Sequence, residues 1–79
     1  GLRIAWTARA AADLARLHEH LRPVAPDAAA RVVRQLAHAP DRLLDHPRMG
    51  EKLEAYAPRE VRRIVVGTYE LRYEIADAT

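Results

Sequence analysis

The sequence predicts an α+β fold of β-α-α-β-β order, an antiparallel sheet with a helical hairpin packed on one face. Three observations predict it. The β-branched run Val61 to Val66 and the strictly alternating run Tyr69 to Ile75 are separated only by Gly67-Thr68, the spacing of a two-residue β-hairpin. Two amphipathic helical patterns fill the stretch from Ala8 to Leu44 and meet at a proline-marked link. Ahead of them, Leu2-Arg3-Ile4-Ala5-Trp6 alternates at the period of a strand.

Taken in order, Leu2, Ile4 and Trp6 share one side of a short first strand, and Thr7 follows as a helix N-cap. Ala10, Leu14, Leu17 and Leu21 recur at spacings of three and four and form one apolar stripe. Arg9, Asp13, Arg16, Glu19, His20 and Arg22 occupy the remaining, solvated face. Arg22-Pro23-Val24-Ala25-Pro26 ends that helix. Pro26-Asp27 opens the next, with proline where its missing N–H costs nothing and aspartate favourable to the helix dipole.

Ala29, Val32, Val33, Leu36, Ala37, Leu43 and Leu44 carry the second stripe. Pro40 interrupts it, because it lacks a backbone donor and clashes one turn back, so Asp41 to Leu44 reads as a separate last turn. Asp45 to Gly50 is a turn-rich connection, and Glu51 to Ala57 reads equally as a short strand or an extended loop.

In the hairpin, Gly67 first suits a type II′ turn. Placing Val66 opposite Tyr69 continues the ladder as Val65 to Glu70, Ile64 to Leu71, Arg63 to Arg72, Arg62 to Tyr73 and Val61 to Glu74. Ile64, Val66, Tyr69, Leu71, Tyr73 and Ile75 then make a core-facing surface, with the stem of Arg62 at its margin. The other face holds Val61, Val65, Glu70, Glu74 and the facing cations Arg63 and Arg72. Like charges directly opposite on a sheet are unfavourable unless carboxylates or an external anion offset them. Glu70 and Glu74 flank Arg72 on its own strand and supply one such offset. Asp77-Ala78-Thr79 reads as the start of a turn, with a further strand expected beyond it.

Seventy-nine residues suffice for a single domain, residues 1–79, near the size at which one core supplies only about 3–5 kcal/mol of net stability. With no cysteine, a disulfide framework and thiolate metal sites are excluded, and a cytoplasmic chain is the simpler expectation. No apolar run approaches the roughly 20 residues of a membrane span, and no signal peptide precedes the first strand. Gly1 in place of methionine reads as a trimmed start.

Thirteen Lys and Arg against eleven Asp and Glu leave a formal charge of +2, and Lys52 is the sole lysine. Arginine favours planar, bidentate contacts with carboxylate or phosphate, which fits either an acidic protein or a nucleic acid. His18 and His20, two apart on a helix, point in different directions and make no chelating pair; His38 and His46 stand alone, so neither metal nor cofactor is expected. The chain has no serine, so serine nucleophile chemistry is excluded, and it has no Gly-rich phosphate loop. Metal-independent RNA cleavage needs an acid/base pair and cations on the phosphate; Lys52, Arg59, Arg62, Arg63 and Arg72 are candidate contacts, while the catalytic acid and base remain unassigned. Tyr69 and Tyr73 read as core residues.

The pieces Ile4-Ala5-Trp6-Thr7-Ala8-Arg9-Ala10 with Asp13-Leu14, Ala28-Ala29-Ala30-Arg31, Leu44 to Gly50, Arg59 to Val66 and Tyr69 to Ile75 occur in an order that resembles the RelE/ParE superfamily of bacterial toxin-antitoxin toxins. The resemblance covers nearly the whole chain and is closer to ParE-like and plasmid-stabilisation sequences at the helical hairpin start and the Pro47-to-Gly50 connection. It implies a toxin neutralised by a cognate antitoxin whose extended or helical tail wraps it in a hetero-oligomer. Two targets follow: DNA gyrase, poisoned without catalysis, or messenger RNA cleaved in the ribosome. An inactive remnant that still binds antitoxin is a third reading. The family's last strand, with its functional C-terminal residues, is not found in these 79 positions, and Pro40 interrupts a usually continuous helix. The edge at Tyr69, Leu71, Tyr73 and Ile75 is the expected seat of a partner strand.

Overall fold

The structure, a computed structural model, describes residues 2–76. Helices α1 (Ala8–Leu21), α2 (Pro26–His38) and the short α3 (Asp41–Asp45) precede three strands, β1 (Glu51–Lys52), β2 (Glu60–Val66) and β3 (Tyr69–Ile75). The fold is α+β, with an antiparallel sheet in the order β1-β2-β3. By backbone proximity the chain divides into two compact units, residues 1–41 and 42–79.

In the first unit, Thr7 caps α1 as its sequence position requires: its hydroxyl oxygen accepts from the Ala10 amide at 3.0 Å. Four residues link α1 to α2, and the two helices pack against each other as a helical hairpin. Pro26 stands at the first position of α2 and Asp27 in its first turn. Ala29, Leu36 and Ala39 are the buried residues of this unit.

The expected first strand at Leu2–Trp6 does not form. Residues 2–6 are exposed and join no ladder, and the sheet gains its third strand from Glu51–Lys52 instead. Alternation marks a segment with two distinct sides, but a strand exists only through hydrogen bonds to a neighbour, and alternation does not name that neighbour. The Trp6 side chain is instead turned toward residues of α1 and α2.

The second unit begins at Arg42. Pro40 does break the helical pattern: α2 ends at His38 and α3 is a separate turn. The stretch Glu51–Ala57 combines both readings open to it, a two-residue strand followed by a 3-10 turn at Glu54–Tyr56. The hairpin follows the expected register at every pair, from Val66 opposite Tyr69 to Val61 opposite Glu74, and extends to Glu60 opposite Ile75. Gly67 has φ of 62°, the positive value that primed hairpin turns need at that position.

Leu43, Val61 and Ile64 are buried here. Val61 lies on the face expected to be polar. The Leu53 amide donates to its carbonyl at 2.8 Å and the 54–56 turn rests against β2, so this end of the face is covered while Val65, four residues along the strand on the same face, stays 62% exposed. The turn expected at Asp77-Ala78-Thr79 lies outside the described residues.

Candidate functional site

Of the five cations singled out by the sequence, Lys52, Arg62, Arg63 and Arg72 lie on the strands of the second unit and Arg59 directly precedes β2. Strand alternation sends Arg63 to one side of β2 and Arg62 to the other. Antiparallel pairing then brings Arg72 opposite Arg63, with Glu51 of β1 opposite Arg63 on its far side.

Glu70 lies between the two facing arginines. One carboxylate oxygen accepts from Arg63 Nη1 at 2.7 Å and the other from Arg72 Nε at 2.5 Å. Arg63 Nε also donates to Glu51 at 3.0 Å, and Arg72 Nη1 donates to the Tyr56 hydroxyl oxygen at 2.9 Å. Hydrogen bonds first from Arg63 and then from Arg72 hold the Glu70 carboxyl below its ordinary value, and those from Glu70 and then Glu51 hold the Arg63 guanidinium above its own. Glu74 does not join this cluster. It takes Arg59 in a bidentate pair at 3.1 and 2.8 Å, which lowers the Glu74 carboxyl and raises Arg59. The repulsion of the central cations is therefore relieved by Glu70 bridging them and by Glu51 on Arg63, rather than by the two flanking glutamates of β3.

On the other side, Arg62 is built into the structure. Its side chain is 16% exposed, and it donates to the backbone carbonyls of Gly50 at 2.8 Å and Arg48 at 3.3 Å and to Glu60 at 2.9 Å. Glu60 also binds Arg48 in a bidentate pair at 2.9 and 3.0 Å, and the hydrogen bonds from Arg48 and Arg62 depress its carboxyl. Tyr73 completes the arrangement: its hydroxyl donates to the Pro47 carbonyl at 2.7 Å and accepts from the Gly50 amide at 3.1 Å. Gly50 is buried, and a Cβ there would lie 2.6 Å from the Arg63 carbonyl oxygen and 2.7 Å from the Tyr73 hydroxyl. Arg62 and Tyr73 thus latch the 47–50 loop to β2 and β3.

Lys52 stands apart. It is exposed on β1, opposite Arg62 in register, and has no ion-pair partner among the described residues. Of the partner edge, Tyr69, Leu71, Tyr73 and Ile75 share one face of β3 and are all half-buried. Strand β3 ends the sheet, so its outer backbone groups have no ladder partner among the described residues.

Three contributors escaped the sequence reading. The Arg48–Glu60 pair spans a separation that no local pattern marks. Glu51 meets Arg63 only because β1 pairs with β2. Tyr56 reaches Arg72 from a 3-10 turn whose conformation the sequence left open. The Arg59–Glu74 contact was within reach, since the hairpin register places Glu74 opposite Val61, two residues from Arg59.

Among the described residues no three His, Asp or Glu side chains gather as a metal-binding group, and no helix is long and apolar enough to cross a membrane. Chemically, the sheet presents guanidinium groups already joined to carboxylates, with the Tyr56 hydroxyl hydrogen-bonded directly to one of them, Arg72.

Comparison with known proteins places these elements among relatives. A family described as "ParE toxin of type II toxin-antitoxin system, parDE" matches residues 4–79. The chain is 36% identical over 74 residues to a protein named Toxin RelE2 from Caulobacter vibrioides, an alignment covering 94% of this chain and 81% of the relative. No solved structure matches it significantly.

Proposed function

We propose that this chain, which belongs to the RelE/ParE superfamily of type II toxin-antitoxin toxins, is a ParE-like toxin that inhibits DNA gyrase by binding it and performs no catalysis of its own. As a toxin of such a module it has a cognate antitoxin as partner. In this reading the antitoxin adds a strand to the edge formed by Tyr69, Leu71, Tyr73 and Ile75, where β3 offers unpaired backbone groups.

The observation that carries the reading is the state of the sheet arginines. A nuclease that grips a phosphate with Arg59, Arg62, Arg63 or Arg72 would have to take each from a carboxylate it already holds. Charge-assisted hydrogen bonds are about twice as strong as neutral ones, and that of Arg59 is bidentate, so each exchange has a cost. The Tyr73 hydroxyl is likewise committed to the Pro47–Gly50 loop. A surface whose charges cancel internally suits recognition of a protein better than electrostatic capture of a polyanion.

One observation favours the second reading, a ribosome-dependent endoribonuclease. The Tyr56 hydroxyl lies 2.9 Å from Arg72 Nη1, and Arg63 shares Glu70 with Arg72, so an acid/base group stands beside two potential phosphate contacts. Lys52 would add a free cation.

The deciding experiment is gyrase supercoiling of relaxed plasmid with rising toxin and antitoxin withheld. The proposal expects loss of supercoiling or trapped double-strand breaks, reversed by antitoxin. Uninhibited gyrase together with ribosome-dependent messenger cleavage that disappears in Tyr56→Phe would replace it with the nuclease reading.

A further inference from the structure

Strand β3 is an edge of the sheet, and the hairpin register fixes which of its backbone groups point outward. The Val61 carbonyl accepts from the Leu53 amide, on the side of β2 away from β3. Glu74, opposite Val61, therefore turns its own N–H and C=O away from β2, because the two members of such a pair face apart together. Alternation extends this to Arg72, opposite Arg63, and to Glu70, opposite Val65. The outward edge thus presents the backbone groups of Glu70, Arg72 and Glu74, with no ladder partner among the described residues.

These three side chains read minus, plus, minus along one face of β3, while Leu71, Tyr73 and Ile75 share the other, half-buried face. An antiparallel copy of the same strand satisfies this edge only when outward groups meet outward groups, which puts the twofold axis on a residue of β3. Three axes keep most of the strand paired. An axis at Arg72 sets Arg72 against itself and Glu70 against Glu74 of the second copy, like charges at every outward pair. An axis at Leu71 sets Glu70 against Arg72 of the second copy, but Glu70 already holds two arginines of its own chain, and the ladder runs into the Gly67-Thr68 turn. An axis at Tyr73 sets Arg72 against Glu74 of the second copy twice over, and Glu74 holds Arg59 alone. It also lays Leu71 against Ile75 of the second copy on the half-buried face and carries the ladder on to Glu70 against Ala76, the residue after β3.

We propose that, with no antitoxin present, two copies of this chain pair through β3 about a twofold axis at Tyr73, joining two three-stranded sheets edge to edge. The inference uses the same free edge as the antitoxin reading above and does not depend on gyrase being the target. The contact is self-complementary, so it closes at two copies, and the edges that remain are β1 strands of two residues each. A nucleic acid fits this edge less well, because two of its three charges are carboxylates that repel phosphate.

The test is sedimentation of the whole chain alone over a range of concentrations. The expected result is a reversible monomer–dimer equilibrium with no larger species. Arg72→Glu sets like charges at both outward pairs, and so does Glu74→Arg; each should weaken the dimer about tenfold or more, with far-ultraviolet circular dichroism unchanged. Mixed in equal amounts, the two variants restore opposite charges at both pairs and should form a heterodimer tighter than either homodimer. A parent chain that stays monomeric throughout overturns the proposal, as does a Glu74→Arg variant that dimerises like the parent, or a mixture no tighter than its components. A second readout leaves the charges of the Tyr73 axis in place. The chain has no cysteine, so a single introduced one bridges only to another copy. Only the residue on the axis meets itself, at about 4.5 Å between Cα atoms in a pair of this kind, which is within disulfide reach. Tyr73→Cys should cross-link under mild oxidation far faster than Leu71→Cys or Arg72→Cys, and faster cross-linking at either of those positions overturns the proposal. Neither gyrase nor antitoxin enters these measurements, so failure here and failure of the supercoiling assay are separable.

Discussion

The helical unit and the sheet unit treat charge in opposite ways. In residues 42–79 the formal charges cancel, and the arginines at 59, 62, 63 and 72 are each fastened to a carboxylate, Arg59 and Arg63 across the hairpin and Arg62 and Arg72 along their own strands. In residues 1–41 the ion pairs are local, one helical turn apart, and Arg3, Arg9, Arg31 and Arg34 are in none among the described residues. The arginines of the hairpin are thus tied into the sheet by carboxylates, whereas Lys52 of β1 is exposed and in no ion pair among the described residues. Counting charge in a segment does not by itself say which cations are free to meet a ligand.

Four predictions test that contrast, starting with the sheet unit's most constrained position. Gly50→Ala puts a methyl group 2.6 Å from the Arg63 carbonyl, a backbone atom that cannot swing aside. It should cost about 3 kcal/mol, the upper range for overpacking a close-fitted site, measured as a lower urea midpoint. Tyr73→Phe removes the hydroxyl from two loop partners and should cost about 1–2 kcal/mol, with faster amide exchange at Gly50. If that variant is as stable as the parent and the 47–50 loop stays protected, Arg62 and the Arg48–Glu60 pair hold the loop without the hydroxyl.

Glu70→Gln should have a smaller effect that depends on pH. The Glu60, Glu70 and Glu74 carboxyls are all held below their ordinary value of 4.5, chiefly by hydrogen bonds from Arg48, Arg63 and Arg59 in turn. A depressed carboxyl stabilises the fold at pH above its unfolded value and loses that contribution as pH falls through the lowered one. Thermal stability should therefore drop on acidification below about pH 4.5, and the drop should be shallower in Glu70→Gln, which lacks one of the three titrating groups. A variant as acid-sensitive as the parent would show that Glu70 contributes nothing to the pH dependence. Least of all, Arg31→Glu/Arg34→Glu should leave the unfolding free energy from urea denaturation within about 0.5 kcal/mol, because both side chains are exposed and in no ion pair among the described residues. A large loss there would place those arginines in the fold rather than at its surface.

The parts of the molecule that were legible from sequence are those governed by local chemistry. Thr7 as a cap, Pro26 at the head of α2, the break at Pro40 and the hairpin register all follow from residues within a few positions of one another. What sequence missed was pairing at a distance. Leu2–Trp6 has the alternation of a strand without a ladder to join, and Val61 has the position of an outward residue in a place that the 53–56 segment covers. The candidate site divides the same way. Its cations could be named, but which carboxylate each would take depends on β1, the 54–56 turn and the 47–50 loop, and none of these has a signature strong enough to place it beforehand.

Glu70 carries a consequence of its own. A carboxylate gripped by Arg63 on one oxygen and Arg72 on the other occupies the place that a bound oxyanion would take between two guanidinium forks. Shortening that side chain would leave Arg63 and Arg72 opposite each other without the carboxylate that bridges them, the like-charge juxtaposition that destabilises a strand pair.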